Sequence, residues 1–276
     1  MYKVAFQTMM LYELAEEIGV YEALKQVREM GYEAVEISGH FPLDEESQKE
    51  LLRAKNDFGI DVCAMSASFS GHLPTLPRRD GRKSVSLVND YDEIVARCKL
   101  FDCHNVRFAG APIAACENFE EMKAFYASCE EYAQRLAADG INLCMHNHAN
   151  EFTKLEGKTV FEWAAVLAPT LKHELCIFNA QLSGYNICDL VRSIAGRVPL
   201  IHFEDIAVTP LPGHQDMRVF LGRVFGEGNI DVESFCKAAN EAGNEYFILE
   251  NDMYDPATIM GKMAEAYKRI SAIKVD

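Results

Sequence analysis

Short β-rich segments alternate with longer helical patterns from one end of this chain to the other, and that alternation leaves few folds open. Strand patterns read at Val4-Ala5-Phe6, AVEIS, IDVCAMSA, NVRFAG, INLCMHN, ELCIFNA, PLIHFED and YFILEND. Between them run amphipathic helical patterns such as YEALKQVREMGY, DEESQKELLRAKNDFG, NFEEMKAFYASCEEYAQRLAADG and VESFCKAANEAG, with PATIMGKMAEAYKRISAI closing the chain. Four helical patterns stop at a glycine just before a strand, at Gly31, Gly59, Gly140 and Gly243, because glycine takes the left-handed conformation that closes a helix. Strands that alternate with helices pair in parallel through right-handed crossovers. About eight such units, in a chain near the ~250 residues typical of the architecture, predict a closed (β/α)8 barrel, the TIM barrel. The open doubly wound sheet is the rival, but no glycine-rich phosphate loop follows the first strand. No composition break divides the chain, so residues 1–276 are expected to form one barrel domain. The segment SGHLPTLPRRDGRKS reads as an extended loop.

A formal net charge of −15 argues against nucleic acid or an anionic membrane surface as partner. It does not name a substrate, since one local basic residue can hold an anion inside an acidic protein. The N-terminus shows no basic region followed by an apolar stretch and a cleavage site, so no signal peptide is expected. No apolar run approaches the roughly 18 residues of a membrane span. The nine cysteines are scattered without CxxC pairs, which reads as reduced, mostly buried thiols in a cytoplasmic protein. The oligomeric state stays open, a homo-oligomer included.

In a closed barrel the chemistry sits at the C-terminal ends of the strands. The polar residues expected there are Glu36, Ser66, Ser68, Arg107, His146, His148, Cys176, His202 and Glu250. His146 and His148 are two apart and point the same way on an extended backbone; either can bind a divalent metal as a neutral imidazole. His202 and Glu250 each follow an apolar strand run directly. Two histidines and a glutamate converging on a barrel mouth suit Zn²⁺ or Mn²⁺, and a carboxylate on an apolar strand is costly to bury unless paired or metal-bound. The plainer alternatives are a histidine pair making loop hydrogen bonds and a Glu250 that lies at the surface beyond its strand.

GYEAVE, MHNHANEF, LIHFED, RVFGEGNID and ILEND, in this order and spacing, resemble the xylose isomerase-like TIM barrels, a superfamily of sugar epimerases, inosose dehydratases and endonuclease IV-type enzymes. The resemblance spans essentially the whole chain. It implies one divalent ion held by Glu, Asp, His and Glu from strands five to eight. The last two positions match His202 and Glu250. The fifth-strand Glu falls at His146, as in the branch whose motif reads tyrosine-histidine-asparagine-histidine. The sixth-strand Asp falls at Cys176, a departure. A thiolate there suits Zn²⁺ better than Mn²⁺; the alternatives are a buried core thiol, with Gln181 or Glu151 filling the vacancy from a loop. Glu204 stands where the seventh-strand motif usually carries Lys. Arg223 matches an arginine that reaches substrate in the epimerases, with an exposed loop arginine as the alternative. His148, Glu151 and Arg223 are thus the expected substrate-binding residues.

The implied chemistry is metal-assisted proton abstraction beside a sugar carbonyl, with Glu250 and His146 as the acid–base pair. Isomerase or epimerase comes first. One clear carboxylate base also fits a lyase that eliminates from a keto-inositol or a 3-keto-glycoside. A non-catalytic sugar-binding relative is the reading from a different class, and metal content discriminates it. Endonuclease activity is disfavoured by the acidic charge.

Overall fold

The structure is a computed structural model that describes residues 2–69, 85–210, 217–252 and 254–275. The loop read at residues 70–84 lies outside them. Eight strands, β1 (Lys3–Gln7), β2 (Ala34–Ile37), β3 (Asp61–Ser66), β4 (Asn105–Ala109), β5 (Asn142–His146), β6 (Lys172–Cys176), β7 (Leu200–Phe203) and β8 (Tyr246–Leu249), pair in sequence order. The circle closes where β1 runs parallel to β8, with Val4 opposite Phe247 and Phe6 opposite Leu249. The (β/α)8 barrel expected from the alternation is the observed fold.

Side chains on a strand alternate between its two faces, and here each face has its own core. Outward residues such as Val4, Phe6, Val35, Val106, Phe203 and Phe247 pack against the helices in one large apolar cluster. Inside the barrel a second, small cluster gathers Ala5, Ala34, Cys63, Ala64, Cys144, Leu200 and Ile248. Mostly small residues can meet at the barrel axis, and they form its floor. Two residues further along the same strands, alternation brings Gln7, Glu36, Ser66, His146, His202 and Glu250 to the same inner face. The polar mouth is therefore a direct consequence of the floor beneath it.

Several helices begin on side-chain caps. Asp44 accepts from the amides of Glu46 and Ser47 ahead of Glu45–Phe58, Asn118 caps Phe119–Ala138, and Asn186 caps Ile187–Ser193. Thr159 and Glu162 form a reciprocal box at the start of Val160–Leu167. Among the described residues, no helix is long and apolar enough to cross a membrane.

Two segments differ from the sequence expectation. The sixth strand, read as ELCIFNA, spans Lys172–Cys176, and the chain turns at once into the short helix Ile177–Leu182. After β7 the chain forms an antiparallel pair, Asp205–Pro210 with Arg218–Arg223. Asp205 anchors the loop beyond this hairpin: one carboxylate oxygen accepts from the amides of Ile206 and Ile230 and the other from Gly226 and Gly228. Gly228 lies so close that a Cβ there would run into the Asp205 carboxylate and the Ile206 carbonyl oxygen. Gly228→Ala is expected to destabilise the fold by about 1–3 kcal/mol, as overpacking against rigid backbone does, read as a lowered thermal midpoint. An unchanged midpoint would show that the Asp205 anchor yields freely.

Candidate metal and active site

At the barrel mouth three buried carboxylates gather around one mostly buried guanidinium. Glu36 and Glu174 are fully buried and Glu250 is 4% exposed. Arg107 Nε donates to Glu36 Oε1 at 2.9 Å and lies 3.6 Å from Glu174 Oε2. Gln7 donates to the same Glu36 oxygen at 3.4 Å. His146 Nδ1 is 2.7 Å from Glu174 Oε2. His202 approaches Glu36 through Nε2 at 3.7 Å and contacts Glu250 through Nδ1. The two imidazoles stand edge to face, with ring centroids 4.6 Å apart.

These groups set one another's protonation. Burial and the neighbouring Glu174 push the Glu36 carboxyl up to about 7, against the pull of Arg107 and His202. Burial, with His202 and Arg107 beside it, holds His146 well below its ordinary value, hence neutral. Burial also opposes charge on His202, but Glu250, Glu174 and Glu36 together raise its imidazole well above the usual value. One surrounding, with carboxylates on one side and cations on the other, thus gives two adjacent histidines opposite characters.

The mouth is short of positive charge, since Arg107 faces three buried carboxylates. Glu36 Oε2, Glu174 Oε1 and both ring nitrogens of His202 have no aligned hydrogen-bond partner among the described residues. Buried polar atoms in that condition call for a ligand. His146, Glu174 and His202 each offer a ligand atom within 4.8 Å of the others, the one such group of three or more among the described residues. Two imidazoles and a carboxylate suit Zn²⁺ or Mn²⁺, so the residues present fit a divalent ion.

The structure brings His146, His202 and Glu250 together and adds Glu174, which a search of strand ends misses. Glu174 lies two residues before Cys176 and level with the floor residue Leu200. Its signal was parity: residues two apart on a strand share a face. Cys176 is opposite His202 on the neighbouring strand. Its thiol, pushed up by burial against the pull of His202, accepts a hydrogen bond from Asn179 Nδ2 at 3.1 Å and stands outside the His-Glu-His group. Asn147 straps β5 to β6: its Nδ2 donates to the Cys176 carbonyl and its Oδ1 accepts from the Cys176 amide.

Glu151 is buried, and its two oxygens accept from the backbone amides of Ala111 and His148. It holds the His148 loop to the end of β4, over Gly110, where a Cβ would strike both side chains. His148 stands at the rim, its ring centroid 5.1 Å from that of His146. Half-buried Arg223 lies opposite Asp205 at the base of the hairpin and donates to the Gly222 carbonyl. Buried Glu204 accepts from Asn251 Nδ2 and the Asp252 amide; burial, Glu250 and Asp252 push it up to about 8.

A barrel with a metal-capable polar cluster at the C-terminal ends of its strands defines a class of TIM barrel whose chemistry centres on that mouth. Residues 24–270 match the xylose isomerase-like TIM barrel family, and the chain belongs to it. Similar solved structures include a sugar phosphate isomerase/epimerase from Parabacteroides distasonis ATCC 8503, at TM-score 0.76 and 15% identity over 99% of each chain. The probable 3-DHS dehydratase AsbF from Bacillus anthracis, involved in petrobactin synthesis, has TM-score 0.73 and 11% identity over 99% of this chain and 100% of that one. The IOLI protein with a bound zinc atom has TM-score 0.63 and 18% identity over 98% and 96%. At these identities the likeness establishes the fold alone. No curated protein sequence matches this one.

If His146, Glu174 and His202 hold the ion, Zn²⁺ or Mn²⁺ will raise the thermal midpoint, because a ligand that binds only the folded state stabilises it. Glu174→Gln should weaken metal binding at least about tenfold, and Cys176→Ser should weaken it less, both measured by titration calorimetry. Equal affinity in wild type and Glu174→Gln would remove Glu174 from the ligand set.

Proposed function

We propose that this protein is a divalent-metal-dependent isomerase or epimerase that takes a proton from the carbon next to a sugar carbonyl. The observation that carries the reading is the buried His146-Glu174-His202 group with Glu250 in contact with His202. A divalent ion held by these residues would polarise the substrate carbonyl. Glu250, at the end of β8, is the base that accepts the α-proton, and its contact with His202 fixes the carboxylate at the mouth. Arg107 bridges Glu36 and Glu174 and keeps both acids in place beneath the reacting carbon. His148, which desolvation and Arg107 hold below its ordinary value, is a neutral imidazole at the rim and can return a proton to the opposite face.

Beside the cluster lies a cavity of about 230 Å³ lined by Gln7, Ser38, Ser66, Ser68 and Arg107 among others. Hydroxyl and amide groups beside the guanidinium groups of Arg107 and Arg97 suit the hydroxyls of a small polyol. Arg223 and Glu151 complete the substrate-side set as proposed contacts, Glu151 acting through the loop it holds. A lyase is the second reading, favoured by one observation: the β5 position at the mouth is the imidazole of His146, which leaves Glu250 as the carboxylate not bound to Arg107. Such a site fits β-elimination from a keto-inositol or 3-keto-glycoside.

The test is exchange of the substrate α-proton with deuterated water across ketoses, keto-inositols and 3-keto-glycosides. Metal-loaded wild type should exchange at least one of them, and Glu250→Gln should lower the rate about 10²–10⁴-fold while the protein stays folded. Exchange with all hydroxyls retained marks an epimerase or isomerase; loss of water or an alcohol marks a lyase. Folded, metal-loaded protein that exchanges nothing would count against both and favour a sugar-binding role.

A further inference from the structure

A second cavity lies on the opposite face of β6 from the barrel site. Its volume is about 550 Å³, and it opens between the helices Val160–Leu167 and Ile187–Ser193. His173 lines it, one residue before Glu174 and hence on the other side of the strand. The imidazole is fully buried, and neither ring nitrogen has a hydrogen-bond partner among the described residues. Phe161 lies against it, ring centroids 4.7 Å apart and 37° from coplanar. A purely structural position between a strand and two helices would be filled better by Val or Ile, which bury no polar atom. A buried imidazole beside open volume is instead a preformed donor and acceptor awaiting a polar group.

The lining says what kind of group. Phe161, Leu190 and Ile194 supply apolar wall, with Tyr185 as a second ring. Among the described residues, its charged residues are Glu162 and Asp189, both exposed carboxylates, and no lysine or arginine lines it. We propose that this cavity is a binding site for a small aromatic primary amine: the ring lies along Phe161 and Tyr185, His173 meets a polar atom of the ligand, and the ammonium faces Glu162 and Asp189. A flat apolar body with a cationic end satisfies every class of group in the lining. This site is independent of the reaction at the barrel mouth.

Phenethylamine is the probe, followed through the histidine ring resonances of the labelled, full-length protein. The amine should shift the His173 signals saturably, 2-phenylethanol should bind about tenfold more weakly, and phenylacetate should not bind. Ala165 is exposed on the cavity wall, so Ala165→Trp plugs the space without entering the core and should abolish the shift. His173→Leu should weaken binding about tenfold; if that variant fails to fold, Ala165→Trp still decides the matter. Several outcomes would overturn the proposal: no shift at His173, an alcohol or acid that binds as well as the amine, or a shift that survives Ala165→Trp. Perturbation confined to His146, His148 and His202 would also overturn it, because the amine would then sit at the barrel mouth.

Discussion

Everything at the mouth of this barrel depends on Arg107. Its guanidinium touches Glu36 across the barrel and lies close to Glu174, two carboxylates with no exposure to solvent. Buried acids without a partner take up protons, and a buried ion pair that loses one partner leaves an uncompensated charge, at several kcal/mol. Arg107 is itself held charged, since the same carboxylates outweigh its own burial. One cation among three acids still leaves a surplus of negative charge. That surplus raises His202 and makes the mouth receptive to a further cation.

The floor beneath is equally consequential. Alanine, cysteine and the two larger aliphatic residues Leu200 and Ile248 close the barrel low down, and strand alternation then commits the next inward position to whatever the site requires. This explains how far the sequence could be read. His146, His202 and Glu250 are polar residues that end apolar runs, and each stands two residues above a floor residue. Glu36 and Arg107 are visible as polar strand ends too, but their pairing across the barrel is a tertiary fact that no local pattern carries.

Glu174 escaped for a physical reason. It lies in the floor tier, where most other strands carry alanine, cysteine, leucine or isoleucine, and as the first residue of the run ELCIFNA it looks like the polar start of a strand. The strand end itself is Cys176, the more conspicuous position. The hairpin between Asp205 and Arg223 was hidden likewise: its two halves pair antiparallel, while the surrounding pattern speaks only of parallel units. Its anchor, the Asp205 carboxylate, gives reason to the aspartate of LIHFED and the glycines of RVFGEGNID together.

Asn147 has a consequence for how such a site can change over evolutionary time. Its side-chain amide grips the backbone of residue 176, donor to carbonyl and acceptor to amide, and so stands in for a rung of the sheet between β5 and β6. The strand end is fastened by its main chain, whatever side chain it bears. Cysteine can therefore occupy a place where relatives are expected to carry aspartate, and the barrel stays shut. With Glu174 one step below, a lineage can trade a ligand from one tier to the next while the scaffold stays fixed, which makes this strand a natural point of divergence in chemistry.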